Sequence, residues 1–252
     1  MRIIGGYARG IRLSAPDGLS LRPTEDRVKE TVFSMLGDIS GITVADLFSG
    51  TGAMGLEALS RGAACVKSIE LNPLHADFIM QNYNAVAKSM GENLLKGAFE
   101  LIRGDVSQFA SLLSSVAGKI NLILADPPYH QPEGVFGGAE LVASPAWPKL
   151  AAEGCILALE HAARMPFDWF PKSCWKLLQT KIFGKRAVSF AKLTARLPKF
   201  LVWMSFQQDF GNQSNGMRAA CSRARIQPSA ASFGHAGLAI SSAPPKTPTG
   251  WW

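Results

Sequence analysis

The sequence predicts an α/β protein: a mostly parallel sheet of seven strands with helices on both faces, preceded by a small basic hairpin and helix. Three observations carry that expectation. From residue 42 onward, short β-rich apolar runs alternate with longer runs of helical periodicity, an order that requires right-handed crossovers. Residues Ile120–Ala125 are apolar without much break, as a strand buried on both faces must be. A glycine turn, Gly50-Thr51-Gly52, stands between the first of these strands and the first of these helices.

Taken in order, residues 2–4 and 11–13 form the arms of the hairpin, around Gly5, Gly6 and Gly10, and a turn follows at Pro16-Asp17-Gly18. Thr24 then caps a helix with Glu25 and Asp26 in its first turn, Val28, Val32, Phe33 and Leu36 on one face, and Gly37 at its end. Strands are expected at 42–48, 65–71, Phe99–Arg103, Ile120–Ala125 and 155–160. Helices are expected at 53–61, at Pro73–Met90 with Pro73 in its first turn, at 107–115, and at 141–150 where Pro145 and Pro148 interrupt the pattern. Residues 175–182 and 187–193 around Gly184 read as a closing antiparallel hairpin. Beyond about Ala195 the composition turns to Ser, Ala, Gly, Pro and Asn, and 195–252 is expected to be a largely disordered extension. The expected division is therefore 1–38, 39–194 and 195–252.

Composition excludes several classes. The chain has 252 residues, 47% hydrophobic and 18% charged, enough for one large core. No apolar run reaches the ~18 residues of a membrane helix, and the first residues have no secretory h-region. Cys65, Cys155, Cys174 and Cys221 show neither C-x-x-C pairing nor metal spacing, which suits a reducing compartment; a cytoplasmic, metal-free monomer is expected. The net charge is +7, unevenly spread. Trp169 to Gln208 contains no acid but carries Lys172, Lys176, Lys181, Lys185, Arg186, Lys192, Arg196 and Lys199. Such clustering suits a polyanion, and equally a solvated face.

Four motifs carry chemistry. In Asp46-Leu47-Phe48-Ser49-Gly50-Thr51-Gly52 the glycines let the backbone approach a ligand at the carboxyl edge of the sheet, where a helix N-terminus offers N–H groups. Gly50, Gly52 and Gly55 also match the dinucleotide pattern, so a nicotinamide or flavin enzyme shares this feature. Glu70, ending the next strand, can accept both hydroxyls of a ribose, although alone it reads as a surface acid. Asp105, after Arg103-Gly104, can receive an adenine amino group, although Gly-Asp is also ordinary turn chemistry. The decisive motif is Asp126-Pro127-Pro128-Tyr129. Two prolines after a buried strand hold the chain extended and remove two donors, leaving the Asp126 carboxylate and the Pro127 carbonyl as acceptors for one amino group. Tyr129 supplies a ring on which the base can stack.

Asp126-Pro127-Pro128-Tyr129 together with Asp46–Gly52 resembles the class I S-adenosylmethionine-dependent amino-methyltransferases, whose fold is Rossmann-like. The run Arg2-Ile3-Ile4-Gly5-Gly6, Arg9-Gly10, Leu13, Pro16, Gly18 and Arg22-Pro23-Thr24-Glu25-Asp26-Arg27-Val28-Lys29-Glu30 is similar to the 16S rRNA guanine-N2 methyltransferases, which modify the guanine conventionally numbered 966. The resemblance spans about residues 1–194. It implies that Asp46, Ser49, Gly50, Thr51 and Gly52 cradle the methionine part of S-adenosylmethionine, that Glu70 holds its ribose and Asp105 its adenine. It implies that Asp126, Pro127 and Tyr129 form the target-base site, with Arg22, Pro23, Thr24 and Arg27 beside it to order 16S rRNA, free or within the 30S subunit. Lys29 stands where many relatives have arginine, which loses the planar fork. The competing readings are a dehydrogenase, an adenine-N6 methyltransferase acting on DNA or RNA, and a non-catalytic RNA-binding protein.

Overall fold

The computed structural model describes residues 1–16, 26–95, 98–128, 136–164, 170 and 173–194. The elements are α1 (Asp26–Leu36), β1 (Thr43–Leu47), α2 (Ala53–Ser60), β2 (Cys65–Glu70), α3 (Pro73–Met90), β3 (Phe99–Arg103), α4 (Phe109–Leu112), β4 (Ile120–Ala125), α5 (Gly138–Ala143), α6 (Trp147–Leu150), β5 (Ala151–Ala162), β6 (Trp175–Phe183) and β7 (Arg186–Leu193). One seven-stranded sheet runs in the order β3-β2-β1-β4-β5-β7-β6. The first five strands in that list are mutually parallel, and β7 is antiparallel to both its neighbours. The strand order reverses between β1 and β4, where an open sheet of this type leaves a crevice at its carboxyl edge.

Period-two alternation sorts the strand side chains onto two cores. Val44, Val66, Leu122, Leu124, Ala158, Val188 and Phe190 lie on the face covered by α1, α2 and α3. Ala45, Leu47, Ile69, Ile123, Leu157, Leu159 and Ala191 lie on the opposite face, under α4, α5 and α6. Phe109 stacks on Trp147 there at 4.3 Å, and Trp147 Nε1 donates to the Leu141 carbonyl at 2.7 Å, tying α6 to α5.

Three expectations need adjustment. The N-terminal hairpin is short, with one antiparallel bridge between Arg2 and Arg12 flanked by bonds from Ile3 N–H to the Ile11 carbonyl, Gly10 N–H to the Ile3 carbonyl and Leu13 N–H to the Met1 carbonyl, while Ile4, Gly5 and Ala8 bond to α2. The helix expected over 107–115 is broken into two 3₁₀ turns flanking the one-turn α4, and that over 141–150 into α5 and α6 at Pro145. Strand β5 begins at Ala151 rather than 155. Ile120 pairs with Ala151 and Leu122 already with Ile156, a register jump absorbed around Gly154, whose φ is +75°. The cap at Thr24 and the extension 195–252 lie outside the described residues.

The arm preceding α1 belongs to the main core: Ile3, Ala8 and Leu13 are buried among Val28, Val32, Phe33, Leu56 and Leu59. Its anchor is Glu57 of α2, fully buried, whose carboxylate accepts the N–H groups of Ile4 and Gly5, both at 2.8 Å, and Arg61 Nε at 2.9 Å. Lys29, equally buried, brings its Nζ within 3.7 Å of Glu57 and 3.6 Å of Asp26 and donates to the Arg2 carbonyl. Its burial lowers its pKa against the pull of those two acids. Lys29 is thus an internal tie. A compact ammonium on a thin stem fits that place without a fork of donors to satisfy.

Candidate active site

The polar residues at the carboxyl edge follow from strand register. Glu70, Asp46, Asp126 and Glu160 continue the α1–α3 face of β2, β1, β4 and β5, and Arg186 opens the same face of β7. They line the same face across five neighbouring strands spaced about 4.8 Å apart, with Arg186, paired with Ala162, two residues beyond the level of Glu160. Leu47 pairs with Ala125, and Ala125 with Leu159, so Asp126 and Glu160 stand level at the strand ends. Asp46, paired with Leu124, sits two residues lower, about 6.6 Å down the strand, under the start of α2.

The turn above Asp46 is built around left-handed backbone. Phe48 has φ +58°, the one such non-glycine residue among the described residues, followed by Gly50 at +57° and Gly52 at +76°. Three backbone bonds hold that shape: Ser49 N–H to the Ile69 carbonyl, Gly52 N–H to the Ser49 carbonyl, and Leu56 N–H to the Gly52 carbonyl. A Cβ on Gly55 would stand 2.7 Å from Asp46 Oδ2 and 2.8 Å from Ser68 Oγ, so α2 lies directly on the acid.

Asp46 is 3% exposed and accepts the Gly55 N–H at 3.2 Å and the Ser68 hydroxyl at 3.3 Å. Burial raises its pKa to about 7, against the lowering effect of Ser49, Gly55 and Ser68, and Glu70 adds to the rise. All the helpers are neutral. A buried acid held by dipoles alone, with a second acid beside it, favours a cationic ligand. Glu70 spans the crevice: one oxygen accepts the Gly50 N–H and the other the Asn72 N–H, both at 2.8 Å, with His75 Nδ1 at 3.4 Å. It is therefore fixed to the glycine turn from the neighbouring strand. The Gly104 N–H reaches the Glu70 carbonyl at 3.1 Å, which brings Asp105 to the same end of the sheet, exposed and accepting the Ser107 N–H at 2.8 Å.

Asp126 is half-buried and Pro127 buried, immediately beyond β4. Burial pushes the Asp126 carboxyl up to about 8; Glu160 and, more weakly, Asp46 reinforce the rise, and Arg186 opposes it. Arg186 also pairs with Glu160 at 3.2 Å. Of the sequence-predicted residues, Asp46, Ser49, Gly50, Thr51, Gly52, Glu70, Asp105, Asp126 and Pro127 come together at this edge. Arg27 lies exposed in the first turn of α1, and Arg22, Pro23, Thr24 and Tyr129 fall outside the described residues. The sequence motifs do not single out Glu160 or Arg186 as site residues. The available signal was a strand-end acid at 160, in the position that singled out Glu70.

The chemistry such an edge supports is the gripping of a polar group by acceptors at Asp126 and Pro127, next to a glycine turn lined by acids. Among the described residues no group of three or more His, Cys, Asp or Glu side chains is placed to hold a metal, and no helix is long and apolar enough to cross a membrane.

The chain is similar to known proteins. The chain is 36% identical over 193 residues to the Ribosomal RNA small subunit methyltransferase D of Escherichia coli K12, covering 74% of this chain and 87% of that one. It is 33% identical over 136 residues to the Putative rRNA methyltransferase YlbH of Bacillus subtilis, covering 52% and 68%. The solved structure of the putative methyltransferase yhhF from Escherichia coli superposes with a TM-score of 0.62 at 29% identity, over 78% of this chain and 99% of that one. The fold is accordingly the Rossmann-like one of class I methyltransferases. The family model described as Conserved hypothetical protein 95 matches residues 1–192, from the arm through β7, and the chain belongs to that family.

Proposed function

We infer that the chain transfers a methyl group from S-adenosylmethionine to an exocyclic amino group of small-subunit rRNA, and that this group is N2 of a guanine. The observation that carries the reading is the placement of Asp126 and Pro127 at the end of β4, level with the strand ends and one strand from the acid-lined glycine turn. Sequence similarity over most of the chain to an enzyme named as a small-subunit rRNA methyltransferase supports the substrate class.

The cofactor, when bound, supplies a methyl group on a positively charged sulfur. The chain's own residues do the rest. Asp46 and the turn from Ser49 through Gly52 would take the methionine part, where the buried acid lacks a cation among its partners. Glu70 would take the ribose and Asp105 the adenine. Asp126 and the Pro127 carbonyl each accept one hydrogen of the base's amino group, which aims the nitrogen lone pair and stabilises the positive charge that develops there. No base is needed before attack, because the proton leaves after the nitrogen has become cationic. Tyr129 would stack on the unstacked guanine, and Arg22, Pro23, Thr24 and Arg27 would order the RNA around it. Basic groups in the first 30 residues and in 172–199 would meet phosphates. The substrate is taken to be rRNA within the 30S subunit or its assembly intermediate, met by a monomer.

The test is transfer of a tritiated methyl group to undermethylated 30S particles and to naked 16S rRNA, followed by nucleoside analysis. Label in N2-methylguanosine is the expected result. Label in adenosine would assign the chain to adenine N6 instead.

A further inference from the structure

Asn82, in the middle of α3, is 2% exposed and joins two segments that belong to different halves of the reaction. Its Nδ2 donates to the Ser14 carbonyl at 2.9 Å and to the Thr51 carbonyl at 3.0 Å, while its Oδ1 accepts the Ser14 N–H at 2.7 Å. These three partners fix the amide's orientation, since Ser14 N–H needs the oxygen and both carbonyls need the nitrogen. Thr51 is the buried centre of the glycine turn, between two glycines in left-handed conformation. Ser14 is the exposed last part of the N-terminal arm, three residues before the segment 17–25 that carries Arg22, Pro23 and Thr24.

The arm is pinned at its other end as well. Ile4 and Gly5 bond to Glu57, and Ala8 donates to Ser60 Oγ at 2.9 Å, both on α2, the helix that the glycine turn opens. Arm and turn therefore share two supports, and Asn82 is the one that reaches the turn itself. Moving Ser14 away would strand a buried amide whose remaining bond goes to Thr51.

We propose that Asn82 is a positioning residue that ties the RNA-facing arm to the cofactor turn, so that RNA and cofactor bind cooperatively. The proposal rests on the functional reading above. RNA that holds the arm holds Ser14, keeps the Asn82 amide in place, and leaves the Thr51 carbonyl bonded, so the turn is already ordered for the cofactor. By linkage the cofactor returns the same factor to RNA.

Calorimetric titration of the full chain with S-adenosylhomocysteine, with and without undermethylated 16S rRNA, measures that factor. The wild-type protein is expected to bind S-adenosylhomocysteine about fivefold or more tightly in the presence of rRNA. Asn82→Ala should bring the factor to about one. A merely structural role would weaken each ligand alone and leave the ratio unchanged. Ser14→Pro, at an exposed position, removes the N–H that Asn82 Oδ1 accepts and restrains the backbone there; it should also lower the factor, and it keeps the test open if Asn82→Ala does not fold. A wild-type factor of one, or a factor that survives both substitutions, overturns the proposal alone. Failure of the wild-type protein to bind S-adenosylhomocysteine at all overturns the functional reading and the proposal with it.

Discussion

Asp46 and Asp126 are acids that the fold makes costly to ionise, and each has a pH signature. If Asp126 must be ionised to accept an amino hydrogen, the kcat/KM for methyl transfer rises with pH and levels off above about 8. A flat profile between pH 6 and 9 would contradict that role. Asp126→Asn, which keeps the shape but loses the charge, should lower single-turnover methyl transfer by roughly 100-fold or more. Its dissociation constant for S-adenosylhomocysteine should stay within about threefold of wild type. Asp46 acts on stability. Its folded pKa of about 7 lies above its ordinary 3.8, so the folded state keeps a proton that the unfolded state has given up. Stability therefore falls as pH rises through that window. Asp46→Asn should stabilise the fold by about 1–3 kcal/mol at pH 8, read as a higher melting temperature, and change it little at pH 4, while weakening cofactor binding. Asp46 and Asp126 were legible in the sequence because each follows a strand-forming apolar run and precedes a chain-turning motif. Asn82 was not, since a polar residue inside an amphipathic helix looks the same whether it meets water or two carbonyls.

Among the elements, α2 is the one whose two ends serve different partners. Its first turn presses on Asp46, and its last turn, through Glu57 and Ser60, carries the N-terminal arm. Gly55→Ala would ordinarily favour a helix by about 1 kcal/mol. Here the added methyl meets Asp46 and Ser68 inside 3 Å, so the variant should unfold at lower urea and bind S-adenosylhomocysteine more weakly. Glu57→Gln leaves the buried Lys29 with the half-exposed Asp26 as its acid and should cost about 3 kcal/mol, read from chemical denaturation, with the arm becoming sensitive to protease before the sheet does. The elements themselves were largely legible: β1, β2, β3, β4 and α3 fall within a residue of where periodicity places them. The misplacements have physical causes that lie outside local pattern. The hairpin is kept short where Ile4 and Gly5 turn to Glu57, a partner more than fifty residues away, and β5 starts early because a bulge at Gly154 lets its first residues pair out of step.

At the scale of the molecule, the sheet closes with β7. Thr194 donates to the Cys174 carbonyl from both its backbone, at 2.8 Å, and its hydroxyl, at 2.9 Å, sealing the end of that strand. Residues 1–194 alone are therefore expected to melt cooperatively and to bind S-adenosylhomocysteine as the whole chain does. Loss of either on truncation would show that the remaining 58 residues take part. The basic surplus predicts RNA affinity that drops steeply between 50 and 200 mM salt, measurable by filter binding. The parallel sheet was legible at this scale because β-α-β order leaves few alternatives, whereas the row running from Glu70 to Arg186 needed register that only pairing supplies. That pairing also dictates when the protein can become whole. Because β7 is threaded between β5 and β6, which precede it in the chain, β6 has no partner and β5 lacks its second one until the last strand has been made. A nascent chain emerging from the ribosome would thus carry those unmatched edges between the synthesis of β5 and that of β7, and Arg186 would join the site only with this last strand. A partly made chain could fold its cofactor half early, yet it would stay catalytically immature until that final insertion.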